Sequence, residues 1–204
     1  MPLIVGLRGH SGVGKDTACR LLKSVLSGRA TVESCAIAAR VKLIAHSLYS
    51  HLGHQHPSHY DACRPDRYIT LPLIDKSPVE IWCALGDAMR DHVYVNSWID
   101  AAITQAQASD AAIFCLTDVR YPSEIDAVHR SGGVIVNVIN PRARPLNSPA
   151  DHALDHWSGT YDYDLVNDGT ETELENRVHR LSVKLLARSA ALVDRNRTVA
   201  TVPE

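Results

Sequence analysis

A glycine-rich segment near the start of the chain carries a lysine at a spacing that suits the binding of phosphate groups. Residues 9–17 read GHSGVGKDT. Gly9, Gly12 and Gly14 would let the backbone curl so that successive N–H groups point at one anion. Lys15 would reach the β- and γ-phosphates of a nucleotide, and the helix that follows would add its positive N-terminal end. The spacing therefore predicts a triphosphate-binding loop.

The residue after this lysine helps to separate kinases from other phosphate-loop proteins. Switch GTPases and many ATPases place a Ser or Thr there as a direct magnesium ligand, whereas this chain has Asp16. Thr17 stands one position later, where small-molecule kinases often place a threonine against the α-phosphate. The chain also lacks the DxxG and NKxD strings of GTPases. These features favour a kinase, with ATP and Mg2+ as the expected cofactors.

A pair of charged residues follows a later apolar run. Residues 111–117 (AAIFCLT) predict a buried strand, and Asp118 and Arg120 stand directly after it. An acid in this position beside a phosphate loop usually orients magnesium-bound water, and an arginine can neutralise charge on the transferring phosphate. A surface ion pair at a strand end is the alternative. Glu124 is a weaker candidate, because an acid there can simply stabilise a helix start.

Alternating strands and helices would position these residues. Buried strands are predicted at residues 3–7, 31–37, 111–117, 134–139 and 164–166. Helices are predicted at residues 14–26, 38–52, 77–90, 96–108, 122–130 and 170–186, with a loop at 53–77. The helix at 77–90 opens with a capping box, SPVE. The alternation indicates an α/β protein, a three-layer α/β/α fold with a parallel sheet of about five strands that binds ligands at their carboxyl ends.

Length and composition narrow the class of protein. The chain has 204 residues, 45% of them hydrophobic, and a net charge of -2. We expect one domain at residues 1–190 and a flexible tail at 191–204. The apolar runs are too short to span a membrane, and the scattered, odd-numbered cysteines indicate reduced thiols in a cytoplasm. The small net charge mildly favours a free nucleotide over DNA as the partner.

Several further blocks of the sequence resemble one kinase family. They are IAARVK at residues 37–42, LGDAMR at 85–90, DVRYPSE at 118–124, HALD at 152–155 and DLVNDG at 164–169. Together with the glycine-rich loop, they run in the same order as in deoxynucleoside monophosphate kinases of the bacteriophage type. HALD is similar to that family's HASE stretch, with Asp155 in place of Glu. Residues 39–40 also depart from the family, which has an acidic residue and a proline there.

The resemblance implies a P-loop kinase that transfers the γ-phosphate of ATP to the 5′-phosphate of a deoxynucleotide. Its helical acceptor-binding insert would cover residues of about 38–95, and a small lid would cover about 141–158. A phage-encoded enzyme of this kind would act in the cytoplasm of the host. We expect a monomer or homodimer with a small-molecule nucleotide as its acceptor.

On the ATP side, the resemblance assigns roles to single residues. Lys15 and Thr17 would bind ATP phosphates, Asn167 would lie near the adenine, and Arg120 would lie close to the phosphates. Asp118 would hold Mg2+, through water, near the transferring group.

The same resemblance assigns basic residues to the acceptor and the lid. Lys42 and Arg90 would face the acceptor monophosphate, and Arg64 is a further acceptor-binding candidate. Arg142 and Arg144 look like lid arginines that close over the transferring group. A solvated basic turn is the alternative for these two residues.

A related acceptor chemistry stays open. Similar P-loop kinases in phage DNA hypermodification phosphorylate 5-hydroxymethyl groups of pyrimidines already in DNA. A monophosphate acceptor is already an anion and needs only positioning, whereas an alcohol gains from a carboxylate that takes its proton. Asp16 is a candidate for that role. Basic residues that would contact DNA are Arg40, Lys42, Arg64, Arg67 and Lys76.

Three other interpretations are open. The protein could be a P-loop NTPase that uses hydrolysis as a switch, or a nucleotide-binding module without turnover. A cluster of histidines beside Cys63 could bind zinc, although its spacing is not a familiar structural zinc pattern. Its members are His51, His54, His56 and His59.

Overall fold

The structure, a computed structural model, describes residues 1–144, 149–155 and 157–199. The chain folds into two compact units. The first unit consists of Met1–Cys35 with the described part of Ala102–Glu204, and the second consists of Ala36–Ala101. In chain order the elements are β1 (Leu3–Arg8), α1 (Lys15–Val25), β2 (Val32–Cys35), α2 (Ala39–Tyr49), α3 (Pro57–Ala62), α4 (Pro78–His92), α5 (Ser97–Gln107), β3 (Ile113–Val119), α6 (Pro122–Arg130), β4 (Val134–Ile139), α7 (Pro149–His152), β5 (Tyr163–Val166) and α8 (Glu171–Val199).

The first unit is built on one parallel sheet. In the part of the chain that the structure describes, its five strands lie in the order β2-β3-β1-β4-β5, and every neighbouring pair is parallel. Leu3, Val5 and Leu7 of β1 pack on one face with residues of α1 and α8. Gly6 points to the other face, where Val128 of α6 approaches it. Helices therefore cover both faces, and the predicted three-layer α/β/α fold with five parallel strands is confirmed.

The carboxyl end of β1 lies between β3 and β4. The chain leaves β1 into α1 on one face of the sheet and leaves β3 into α6 on the other face. Connections that diverge in this way open a crevice at the carboxyl edge, where α/β sheets bind ligands. The glycine-rich loop follows β1, and Asp118 and Arg120 lie at the end of β3. The sheet therefore brings both groups of sequence-predicted residues to one edge.

The interval 53–77 is not the simple loop that the sequence predicts. It contains α3 and a 3-10 helix at Arg64–Tyr68. The ring of His56 caps α3 by accepting the N–H of Ser58 at 3.3 Å, and Pro57 opens the helix. Only Tyr60 of this helix is buried, so no apolar periodicity marks it in the sequence.

The final helix is also longer than predicted. The sequence predicts an end near residue 186 and a flexible tail from 191, but α8 continues to Val199. Beyond Leu185 the buried face of the helix continues through Ser189, whose hydroxyl donates to the carbonyl oxygen of Ala112 at 3.0 Å. Because a polar residue continues the buried face, the apolar pattern ends before the helix does. The last tail residues, 200–204, lie outside the described residues.

The second unit is helical. In it, α2 packs against α3 and α4. The N–H of Ser77 donates to Glu80 Oε2 at 2.7 Å, and the Ser77 hydroxyl accepts the N–H of Glu80 at 3.4 Å. This reciprocal pair is the capping box that the SPVE string predicts, and it begins α4 at Pro78.

No helix within the described ranges combines the length and the apolar character needed to cross a membrane.

Candidate active site

The loop between β1 and α1 requires glycine for its shape. Gly9, Gly12 and Gly14 have φ angles of 143°, 78° and 100°, which residues with a side chain rarely adopt. A Cβ atom at Gly9 would collide with the carbonyl oxygen of Val138, and one at Gly14 would collide with the side-chain amide of Asn167. The loop therefore curls tightly against its neighbours, a shape in which backbone N–H groups can converge on an anion.

Lys15 is the first residue of α1 and is only 8% exposed. Its Nζ donates to the carbonyl oxygens of Gly9 at 2.6 Å and His10 at 2.8 Å. The pKa of Lys15 is lowered to about 8, first by burial and second by the positive charge of Arg120. The lysine thus lies folded back on the loop, next to a second cation.

Three carboxylates lie close enough to Lys15 to oppose this fall in its pKa. In decreasing order of effect they belong to Asp151, Asp118 and Asp16. Asp118 is half-buried at the end of β3, and Asp16 is exposed in the first turn of α1. The ammonium group therefore has one cation and three carboxylates near it.

Arg120 follows β3 and is held at both its backbone and its side chain. Its backbone N–H donates to Glu124 Oε2 at 2.7 Å, and Glu124 is buried at the start of α6. Its Nη1 donates to Asp151 Oδ1 at 2.6 Å, and its Nη2 lies 3.5 Å from the Ser11 hydroxyl. Glu124 therefore acts as a helix cap, whereas the guanidinium of Arg120 faces the glycine-rich loop.

Sequence reasoning misses one acid that lies directly on this loop. The side chain of Asp151, in α7, is 0% exposed. Its Oδ1 accepts the N–H of Ser11 at 2.9 Å and the Ser11 hydroxyl at 3.1 Å, and its Oδ2 accepts the same N–H at 3.2 Å. With Arg120, these donors hold the carboxylate against the loop. The only sequence signal for Asp151 is its place directly before the HALD block.

The segment that contains Asp151 also contacts the glycine-rich loop through a histidine. The Nδ1 atom of His10 lies 2.9 Å from the carbonyl oxygen of Asp151, within hydrogen-bond distance. The His152 ring is 2.6 Å from Asp155 Oδ2, and this hydrogen bond lowers the pKa of Asp155. Part of the predicted lid at 141–158 is therefore in contact with the loop. Residues 145–148 and 156 of that lid lie outside the described residues.

Asn167 joins the turn after β5 to the glycine-rich loop. Its side-chain amide donates to the carbonyl oxygen of Val13 at 2.8 Å, and its backbone N–H donates to Ile139 at 2.6 Å. The side chain also fills the space beside Gly14. Asn167 therefore stabilises the loop conformation.

The other residues predicted for the ATP side make fewer contacts. Thr17 is half-buried in the first turn of α1. Arg142 and Arg144 are exposed after β4, and the backbone N–H of Arg142 donates to Asn140 Oδ1 at 2.9 Å. Both guanidinium groups thus lie on the surface of the first unit.

The residues predicted for the acceptor all lie in the second unit. The Nζ atom of Lys42 is 5.1 Å from the centre of the Trp82 ring, within the range of a cation–π contact. Arg90 donates to Asp87 at 2.6 Å, and Arg64 is exposed. Lys42 and Arg90 are thus oriented by neighbours on α4.

The histidine cluster divides into a buried part and an exposed part. The Trp82 indole donates to Nε2 of the buried His54 at 2.9 Å, and burial lowers the pKa of His54. His59, Cys63 and Asp66 offer ligand atoms that lie within 4.8 Å of one another. A closed structural zinc site uses four ligands, and His59 already makes a 2.7 Å hydrogen bond to Asp66. The cluster therefore does not have the composition of a structural zinc site.

The residues around Lys15 fit a magnesium ion better than a metal held by protein ligands alone. Within the described ranges, one group of three side chains of the types that bind metals lies together, and this group is in the second unit. Its members are His59, Cys63 and Asp66. Mg2+ is usually held by one or two carboxylates together with waters and substrate phosphates. Asp118 and Asp16, both near Lys15, offer carboxylates of that kind.

A scan against protein-family models and a search of curated proteins find no match for this chain.

Proposed function

We propose that the protein is a kinase that transfers the γ-phosphate of ATP to the 5′-phosphate of a deoxynucleoside monophosphate. The observation that carries this proposal is an anion site already formed at the carboxyl edge of the sheet. There the N–H of Ser11 and the guanidinium of Arg120 both donate to one carboxylate, beside Lys15. Loop N–H groups and an arginine are the donors that bind phosphates. The ordered blocks that resemble phage-type deoxynucleoside monophosphate kinases support the same conclusion.

Residues of the first unit would bind the donor nucleotide. Lys15 would exchange the carbonyl oxygens of Gly9 and His10 for phosphate oxygens, and Thr17 would contact the α-phosphate. Arg120 would stabilise the negative charge that develops on the transferring group, because it already turns its guanidinium toward the loop. Mg2+ would neutralise phosphate charge when bound, with Asp118 holding it through water.

A kinase is favoured over a hydrolytic switch by the start of α1. Asp16 is exposed there, so a carboxylate stands at the position where switch GTPases bind magnesium through a hydroxyl. A module without turnover would have no need of Asp118 and Arg120 beside Lys15. Reduced thiols suit the cytoplasm as the place of action.

We assign the acceptor to the second unit. Lys42 and Arg90 are held there by Trp82 and Asp87, so each cation is positioned before any ligand binds. Cations in fixed positions can orient a 5′-phosphate, and orientation is the main requirement when the acceptor is already an anion. Arg64, which is exposed, would contribute attraction over a longer range.

A second acceptor class is favoured by one observation. Asp16 is an exposed carboxylate near Lys15, and it could take the proton of an alcohol acceptor. That acceptor would be the 5-hydroxymethyl group of a pyrimidine in DNA, with exposed basic residues of the second unit contacting the strand.

Label transfer tests both acceptors. The protein is incubated with Mg2+ and ATP labelled at the γ-phosphate, together with each of the four deoxynucleoside monophosphates, 5-hydroxymethyl-dUMP or hydroxymethylated DNA. We expect label in a deoxynucleoside diphosphate, and none with Lys15→Ala. Label that enters only DNA would replace the primary proposal with the second one, and a fully active Lys15→Ala would refute both.

A further inference from the structure

We propose that Asp151 is an internal anion that occupies a phosphate position of the glycine-rich loop, and that the phosphates of a bound nucleotide displace it. The inference rests on the proposed function, because it concerns the same loop. The sequence does not reveal Asp151, whose carboxylate competes with the nucleotide for the loop.

The contacts of Asp151 are those of a bound phosphate. Its carboxylate is fully buried and accepts both the backbone N–H and the hydroxyl of Ser11. It also accepts Nη1 of Arg120 at 2.6 Å, a length typical of a strong charge-assisted hydrogen bond. A carboxylate and a phosphate oxygen are interchangeable acceptors for these donors.

The state of Lys15 agrees with a loop that holds its own anion. Lys15 Nζ donates to carbonyl oxygens at 2.6 and 2.8 Å, where a phosphate-bound lysine would instead reach the ligand. The positive charge of the nearby Arg120 lowers the pKa of Lys15. Among the groups that raise this pKa, Asp151 has the largest effect. The carboxylate stabilises the loop by reducing the repulsion between these two cations.

A phosphate and Asp151 cannot both occupy this position. Each would need the N–H of Ser11, and two anions at one buried donor repel each other strongly. When phosphates bind, Arg120 would pass from Asp151 to the incoming anion. Because the Asp151 carboxylate joins residues 149–155 to Ser11 and Arg120, its release would loosen that segment.

The test compares two variants on the same segment, each of which replaces one carboxylate by a neutral amide. Asp151→Asn removes the proposed competitor. Asp155→Asn removes an equal charge that pairs with His152 and lies 3.6 Å from Nε2 of His10, but makes no contact with Ser11. Calorimetry measures the binding of ADP and of pyrophosphate to the full chain. We expect Asp151→Asn to bind both ligands about tenfold more tightly, the equivalent of one lost charge-assisted competitor, and Asp155→Asn to match the wild type. Asp151→Ala provides a second variant in case the asparagine does not fold.

Each outcome has a defined meaning. If the wild type binds ADP and the Asp151 variants bind it equally or more weakly, the competition is refuted and the proposed function stands. If neither the wild type nor the variants bind ADP or pyrophosphate, the proposed function and the inference both fall. Hydrogen exchange of the unmodified protein gives a separate check: residues 149–155 should exchange faster with pyrophosphate bound, and slower exchange would contradict the displacement.

Discussion

In the proposed phosphate-binding loop, the charge of Lys15 depends on pH near neutrality. Burial beside Arg120 holds its pKa near 8, so the side chain is mostly protonated at neutral pH and loses its charge as the pH rises through that value. A lysine with an unperturbed pKa of about 10.4 would keep its charge over this range. Nucleotide binding should therefore weaken under mildly alkaline conditions.

We expect the affinity for ADP to fall by up to tenfold per pH unit above a pH of about 8. The physical reason is that the neutral amine cannot pair with phosphate, whose own charge is already complete at lower pH. Calorimetric titration at several pH values measures the slope. Lys15→Arg is the control, because arginine stays protonated and its profile should be flat. Parallel profiles for the two proteins would show that Lys15 is not the titrating group.

Only part of the site could be predicted from its residues. Lys15, Asp118 and Arg120 belong to short strings that each follow a strand, so local sequence is enough to select them. Asp151 is different, because its partner Ser11 lies 140 residues away in the chain. A single aspartate without a local pattern gives no sign of such a contact, which exists only once β1, β3 and α7 have assembled.

At the scale of elements, the connection from β1 to α1 depends on glycine backbone geometry. Gly14 lies directly before α1 at φ 100°, and the Asn167 amide occupies the place where a side chain would be. Gly28, after the same helix, has φ 76° with nothing near a Cβ position. A substitution at Gly28 therefore measures the cost of backbone strain alone, whereas one at Gly14 adds the cost of a steric collision.

We expect Gly28→Ala to lower the free energy of unfolding by about 1 to 2 kcal/mol, the cost of a positive φ for alanine. Gly14→Ala should cost about 1 kcal/mol more, because the new Cβ displaces Asn167 from its hydrogen bond to Val13. Urea unfolding measures both values. Gly14→Ala should also weaken ADP binding, whereas Gly28→Ala should not. Equal losses of stability would mean that the Asn167 contact contributes nothing.

The elements that sequence predicts best are those with a local cause. The apolar runs of β1 and β4 and the Ser77–Glu80 capping box set their elements within a residue or two. The parts that sequence-based prediction misses are stabilised by polar contacts. A histidine caps α3, and Ser189 continues the buried face of α8. The spacing of apolar residues does not reveal polar residues whose partners are distant in the chain.

In the whole molecule, we propose that one unit binds the phosphate donor and the other binds the acceptor. The first unit, with its five-stranded sheet, holds Lys15, Asp118 and Arg120, and the second holds Lys42 and Arg90. A net charge of -2 gives no general attraction for duplex nucleic acid, so local cations must provide the affinity for an acceptor. We propose that the protein consumes ATP only when an acceptor is present to take the phosphate.

The most direct test measures ATP consumption and acceptor phosphorylation in the same reaction. With Mg2+ and a mixture of the four deoxynucleoside monophosphates, we predict one ADP for each deoxynucleoside diphosphate formed, and almost no ADP without the acceptors. Asp118→Asn should lower the rate about 100-fold or more, whereas Asp126→Asn, an exposed acid on α6, should leave it unchanged. ADP released at the same rate with and without acceptors would identify a hydrolase and contradict the proposed kinase.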